Sequence, residues 1–473
     1  MRERFGQRWA QIQWPSAIAR TLIGVTSVIG VLGSTGCGRP QARSDDAAPT
    51  PNEPDAGAVD APDAPDAPGP LGAVLRVTDD GDDAGDGAAR PLRTLGRALQ
   101  LAAAHPEVLS IELAAGRYDA ARGETFPYVV PDALSIAGRG DGTAELVGDG
   151  AVDGLVVGGG VVTRVTLQAF RVAVTTRGAA ILDTLDIRAS QIGVHADPQS
   201  APTLRKLTVT AAAEACSTAV EGVGSAHLDI TDLTTTEVAS AVHTHDQATT
   251  ALRASRISAT RACPRLPVVW SESDGALTVT DTEITGGTLG IGWAPSGEAV
   301  VQVARTNIHD ATTGIAGLRA RVTLEDVTLT SILGTGIAAV SGDWAITRAV
   351  VAGGLGDALY VAQDPTPATC LIVRDSTLRG FLYGISLGHD AEVDLGTAAS
   401  PGHNTIQGHR LGLYIPDTGS ARTLQAVGNT WQPLSQGADA EGHYGAQLLR
   451  GPVRPQFAAP NFDVQTADWA IQL

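Results

Sequence analysis

The chain of 473 residues predicts an all-β fold, a single right-handed parallel β-helix of about 10–12 coils with an N-terminal capping helix. Two observations carry this reading. The first is a strand–turn–strand phrase that recurs about every 24 residues, as in Leu277-Thr-Val279-Thr-Asp281-Thr-Glu-Ile284 and Val322-Thr-Leu324-Glu-Asp326-Val327-Thr-Leu329. Further copies run Leu228 to Thr235, Leu252 to Ala259, Val301 to Ile308, Trp344 to Val351 and Leu371 to Leu378, with weaker ones near Val162 and Leu204. Each alternates apolar and polar residues at period two, which is strand patterning. The second observation is a short strand between copies that opens on a small residue and an aliphatic: Gly193-Val194, Ala241-Val242, Gly290-Ile291, Gly314-Ile315, Gly336-Ile337 and Gly384-Ile385. Three short strands per repeat make one coil. Val194, Val242, Ile291, Ile315, Ile337, Leu359, Ile385 and Leu413 are expected to stack inside it. Parallel crossovers favour the right hand.

In chain order, residues 1–36 read as a secretory signal: Arg2, Arg4, Arg8 and Arg20 precede the apolar run Thr21 to Gly33. Ser34-Thr-Gly-Cys37 resembles a bacterial lipoprotein cleavage box, with Ser34 where the box usually has Leu; the resemblance implies lipidation at Cys37. Residues 37–70, rich in Pro, Ala and Asp and without an aromatic, cannot bury a core and read as an extended tether. Residues 45–86 carry twelve acids against Arg76 alone, −11 of the chain's net −18. No basic patch argues for nucleic acid.

Residues 71–150 read as the capped entrance to the coils, with an amphipathic helix over about Pro91 to His105 covering the open edge of the first. The coil stack proper is expected over 151–416 and a closing segment over 417–473. The loop Asp79, Asp80, Asp82, Asp83 and Asp86 offers the carboxylate oxygens calcium prefers. Calcium is the one cofactor considered; the fold requires none. Cys216 and Cys263 open strands two coils apart and are candidates for a disulfide in an oxidising compartment, although stacked positions at that separation lie about 9.6 Å apart.

Asp79-Asp-Gly-Asp-Asp83, Pro91-Leu-Arg-Thr94, Ala115-Gly116-Arg-Tyr118, Phe126-Pro127 and Ile136-Ala-Gly138 follow one another as in a bacterial β-helix family of unassigned function within the pectate-lyase-like fold group, which the chain resembles. Val393-Asp-Leu-Gly396, Asn404-Thr405, Gly428-Asn429-Thr430-Trp431 and Asn461-Phe462 continue the resemblance at the far end. It implies the fold and the hand. It implies no activity, since the family has no agreed catalytic residues.

The turn position of successive copies reads Lys206, Asp232, Arg256, Asp281, Arg305, Asp326, Arg348 and Asp375, alternating in sign. With coils about 4.8 Å apart this predicts a solvent-facing ladder of opposite charges. Chemistry is sought elsewhere. If Val194, Val220 and Val242 point inward, alternation turns His195, Asp197, Glu221, His243 and His245 outward on three coils, with Asp246 following. Such a face could bind a divalent metal or supply an acid and a base, or be a solvated polar surface. Trp270 and Glu272 on the next coil would extend it as a sugar-stacking platform. His309-Asp310, His389-Asp390 and His403-Asn404 read as turns. The sequence contains no Gly-x-Ser-x-Gly, His-Glu-x-x-His, phosphate loop or Cys-x-x-Cys.

These observations predict an exported, lipid-anchored envelope or cell-surface protein whose flank binds a polysaccharide or another envelope component. The alternatives are a polysaccharide lyase or glycoside hydrolase using the His195-to-Asp246 face, and a purely structural spacer. Binding and catalysis separate on whether that face forms a groove with converging ionisable groups; a spacer would show neither groove nor aromatic platform.

Overall fold

The structure, a computed structural model, describes residues 73–212, 216–260, 263, 266–362, 369–387, 391–414, 422–433, 462–465 and 470–471. The signal, Cys37, the tether and His389-Asp390 lie outside the described residues. One coil consists of three strands, for example Val161–Thr163, Thr166–Gln168 and Val172–Thr176. Strands of the first kind form a 16-stranded parallel sheet, and those of the other two join in a 26-stranded one. The fold is a parallel β-helix, as the repeat predicts. The ladder begins at Val74–Val77, which pairs with Ser110–Leu113 and through it with Ser135–Gly138, so residues before 151 already contribute coils.

The core is a column of aliphatics inside the coils. Val194, Val220, Val242, Val269, Ile291, Ile315, Ile337, Leu359, Ile385 and Leu413 are in register on successive strands. All eight side chains expected inside have 0 % exposure. Each such burial is worth about 1.5–3 kcal/mol. The small residue that opens these strands is needed at the corner: a Cβ on Gly336 would lie 2.3 Å from Val351 Cγ1.

The charged turn column is first of all a backbone feature. Arg164, Thr184, Lys206, Asp232, Ala254, Asp281, Arg305, Asp326, Arg348, Asp375 and His403 all have positive φ, between 47° and 60°. This left-handed turn disfavours β-branched and bulky apolar side chains and tolerates short polar or flexible ones. Arg256 is not in the column; Ala254 is, because Leu252 pairs with Val279. A two-residue slip keeps every side chain on its face, so alternation does not detect it. Nor do the charges form an even ladder. Arg305 reaches back to Asp281 at 2.6 and 2.8 Å, and Arg348 to Asp326 at 2.6 and 2.9 Å. All four are exposed, where ion pairs add little. Inside the same turns Ser376, Asn404 and Asn429 form a buried ladder: Asn404 Oδ1 accepts from the Ser376 N–H and Asn429 Oδ1 from that of Asn404.

The helix spans Leu95–Ala104, shorter than expected, because Leu92 bridges to Val77 and Thr94 is the N-cap that accepts from the Arg97 N–H. The buried Glu124 carboxylate also accepts from the Leu95 N–H at 2.8 Å, occupying the helix N-terminus from within the chain. Leu95, Ala98, Leu99 and Ala102 face the core.

The acidic loop is not a calcium cage. Asp83 accepts from the backbone of Arg93 and Thr94, Asp86 accepts from Ala88, Ala89 and Arg90, Asp82 accepts from Ala84, and Asp79 pairs with Arg122 at 2.8 Å. With Asp80 they belong to no converging ligand group among the described residues. Their carboxylates shape the loop. Cys216 and Cys263 are disulfide-bonded, with Cα atoms 5.7 Å apart. Both cysteines lie outside the strands, so the spacing of stacked strand positions does not apply to them.

Candidate functional site

Register assembles the site. His195, Glu221, His243 and Trp270 are paired positions on the strands Ile192–Ala196, Thr218–Gly222, Ser240–Thr244 and Val269–Ser271. Their inward neighbours are the core valines, so all four side chains leave the outer face. Just past the strand ends a second outward column runs through Asp197, Val223, His245 and Glu272, whose N–H groups continue the ladder to Thr176, Ala196, Gly222 and Thr244.

The side chains link across five coils. Arg177 pairs with Asp197 at 3.2 Å, and Asp197 lies 3.3 Å from His195 Nε2. His195 Nδ1 is 2.7 Å from Glu221 Oε2. Glu221 Oε1 is 3.8 Å from His245 Nε2, and His245 Nδ1 is 3.3 Å from Glu272 Oε2. The Trp270 indole N–H donates to Glu272 Oε1 at 2.9 Å. The His243 and His245 rings lie 4.0 Å apart, centre to centre.

This arrangement splits the histidines. Hydrogen bonding to Glu221 and then Glu272 pushes His245 up to about 9, while burial and the adjacent His245 charge bring His243 down to about 4. His195 is raised by its bond to Glu221. Glu221 is held well below the usual carboxylate range by His195 and His245, and Glu272 is lowered by His245. At neutral pH the face therefore carries ionised carboxylates, a charged His245 and a neutral His243. Groups whose environments push their pKa values apart are the signature of acid–base pairs.

Of the expected residues, His195, Asp197, Glu221, His243, His245 and Glu272 come together. Asp246 does not: it is exposed in a left-handed turn, and its carboxylate accepts from the Gly224 N–H at 3.0 Å. Trp270 is no platform. Only 1 % of it is exposed, because the next coil places Gly292 beside it and the ring folds down within 2.9 Å of where a Cβ would be, packing with Leu318, Ala294 and Val340. Beyond it the outward positions Ala316 and Ala338 are small, so the ionisable stretch ends there. His309 is held by Asp310 and Glu283, and His403 sits in the left-handed turn column.

Sequence reasoning missed what lies on the other side of His195. Val156 and Thr175 continue its column, and Arg177 that of Asp197. Val156 and Arg177, with Val129, Val130, Asp132 and Gly158, border an open groove of about 660 Å³, and Arg177 joins it to the cluster through Asp197. Val129 is 65 % exposed on its rim. Extending the outward parity one coil earlier would have found Thr175 and Arg177, two coils earlier Val156, and three coils earlier Val129.

The molecule is thus a β-helix protein with a groove and a histidine–carboxylate cluster on one flank. Residues 79–212 match the family described as "Protein of unknown function (DUF1565)". No curated protein matches the chain. Among solved structures it is similar to the catalytic domain of a GH87 α-1,3-glucanase in complex with nigerose, at 12 % identity and TM-score 0.41, covering 87 % of this chain and 70 % of that one. The periplasmic alginate epimerase AlgG follows at 11 % identity and TM-score 0.38, covering 77 % and 85 %. Tailspike protein 3 of bacteriophage CBA120 matches at 9 % identity and TM-score 0.30, covering 83 % and 60 %. Identities this low transfer no residue role.

Proposed function

We propose that this chain is an exported, lipid-anchored envelope protein that binds a polysaccharide along the flank from Val129 to Glu272. The observation that carries the reading is the groove of about 660 Å³ beside the cluster on the same outward columns, with Arg177 lining the groove and pairing with Asp197. An elongated, half-open track suits a chain-like ligand better than a compact one. Arg177 and the charged His245 stand among Asp132, Asp197, Glu221 and Glu272, so the flank has no excess of positive charge to recruit a polyanion, which favours a neutral glycan. The arginine-rich N-terminus, the apolar run and Cys37 support export and anchoring.

The test is retardation of the purified chain in native gels cast with a panel of neutral and acidic polysaccharides. Val156→Arg, which fills the groove, is expected to abolish retardation by the preferred glycan without lowering the melting temperature. No retardation by any glycan, or equal retardation of Val156→Arg, refutes the binding reading. For the anchor, Cys37→Ser is expected to move the protein from the membrane fraction to the soluble one; a variant still in membranes refutes it.

A second reading, cleavage of the bound polysaccharide, is favoured by the neutral His243 beside the charged His245, a base next to an acid. Its sign is release of reducing or unsaturated ends by wild type and not by His243→Ala.

A further inference from the structure

The same flank carries a feature that glycan binding leaves unexplained, the buried Nε2 of His243, unpartnered among the described residues. We propose that Glu221, His243 and His245 form a three-ligand site for a zinc-class divalent cation, with its fourth position facing solvent. The inference deepens the reading above by naming a second ligand of that flank, but rests on its own side chains.

One nitrogen of each histidine and one oxygen of Glu221 lie within 4.8 Å of one another. Their placement follows from the fold: Glu221 and His243 are paired across adjacent strands and His245 is two residues further on, so all three emerge on one face. The surrounding bonds select which atoms remain to ligate. His195 occupies Glu221 Oε2 and Glu272 faces His245 Nδ1, while Glu221 Oε1 and His245 Nε2 face each other at 3.8 Å. Ligand atoms around a tetrahedral ion with bonds of 2.0–2.1 Å stand about 3.3 Å apart, so small side-chain rotations suffice. His243 Nε2 is buried and has no hydrogen-bond partner, a costly state for an imidazole nitrogen in a protein interior.

The outer partners are those a metal centre uses. A carboxylate on the far nitrogen of a ligating histidine fixes its tautomer and raises its basicity, which is the place of Glu272 on His245. Glu272 is itself fixed by Trp270 and Glu221 by His195. Two imidazoles and one carboxylate suit zinc and its neighbours; calcium and magnesium want a shell of oxygens. Three protein ligands with an open fourth position is also the composition of zinc sites that activate water.

The experiment uses the full chain, stripped with chelator, dialysed and titrated with zinc chloride by calorimetry without polysaccharide, and separately with cobalt(II) by visible absorption. One equivalent of zinc and an intense four-coordinate cobalt band are expected. His243→Ala and Glu221→Gln should each weaken zinc at least tenfold and Glu272→Gln about tenfold, with His227→Ala unchanged. No stoichiometric zinc, a weak six-coordinate cobalt spectrum, or unchanged affinity in His243→Ala overturns the proposal. Should His243→Ala not fold, the cobalt spectrum of the unmodified chain decides. Polysaccharide retardation of the stripped chain is a separate readout: its persistence with no zinc bound overturns only the metal site, and zinc binding without retardation overturns only the glycan reading.

Discussion

Replacing Trp270 separates a buried structural ring from a surface sugar platform. The indole is 1 % exposed, lies over Gly292 and donates to Glu272 at 2.9 Å. Trp270→Ala removes a buried aromatic and leaves a cavity under Leu318 and Val340, which costs about 3–5 kcal/mol. Trp270→Phe keeps most of the cover but loses a hydrogen bond to a carboxylate. Such bonds are worth about 1.5–3 kcal/mol, and the partial exposure of Glu272 puts this one near the lower end. The order expected is therefore wild type, then Phe, then Ala. Guanidinium unfolding followed by emission from the buried Trp293 and Trp344 measures it. The Glu272 carboxylate, once released, also stops orienting His245, so both variants should weaken whatever the cluster binds. A Trp270→Ala loss within about 0.5 kcal/mol, the value for an exposed side chain, would refute the buried assignment and restore the platform.

Gly317→Ala should destabilise by about 1–3 kcal/mol, since a Cβ there would lie 2.0 Å from Trp293 Cε2 inside the coil; in a Trp293→Phe background the loss should shrink, and an unchanged loss would locate the strain elsewhere. Asp281→Lys should lower the melting temperature more than Asp281→Asn, because the new charge faces Arg305 with only Ala254 on its other side; the difference should fade in 1 M salt, and equal effects at low salt would mean the pair is energetically idle. Asp357 is buried with Ser386 as its bonded neighbour, and desolvation raises it to about 6. Its folded pKa exceeds the unfolded 3.8, so the stability linked to it is full below pH 3.8 and is lost as pH rises through 6. Asp357→Asn should therefore stabilise by up to about 3 kcal/mol at pH 7 and little at pH 4, and a gain that does not grow with pH contradicts the assignment.

The coils were legible because burial imposes a period on the chain. Ile291, Ile315 and Ile337 recur where each turn of the backbone returns to the axis. Arg256 was misplaced because strand parity has period two and carries no information about a slip of two residues. The His195–Glu221–His243 group was legible for the same reason that Arg256 was not: it depends on parity, which fixes the face. Trp270 failed because outward does not mean exposed. Its fate depends on the residue one coil away, Gly292, and only register brings those two together. The groove was missed although Val129 pairs with Val156, and Val156 with Thr175, on the same outward column as His195: the small and apolar residues there carry no chemical signal in the sequence.

In a stack of coils the sheet hydrogen bonds join each turn to the next, so the ladder fixes their pitch, while the segments between strands are held only by what they themselves contact. The Cys216–Cys263 bond spans 47 residues, and its ends precede the strands bearing Glu221 and Trp270, with the His243 strand between them. It acts as a clasp around the very turns whose relative pitch sets the spacing of the cluster. Opening it with a thiol is expected to loosen the segments between strands first, while the ladder and the aliphatic column stay in place. The bond thus joins two points of the chain 47 residues apart that the strand ladder does not pair directly.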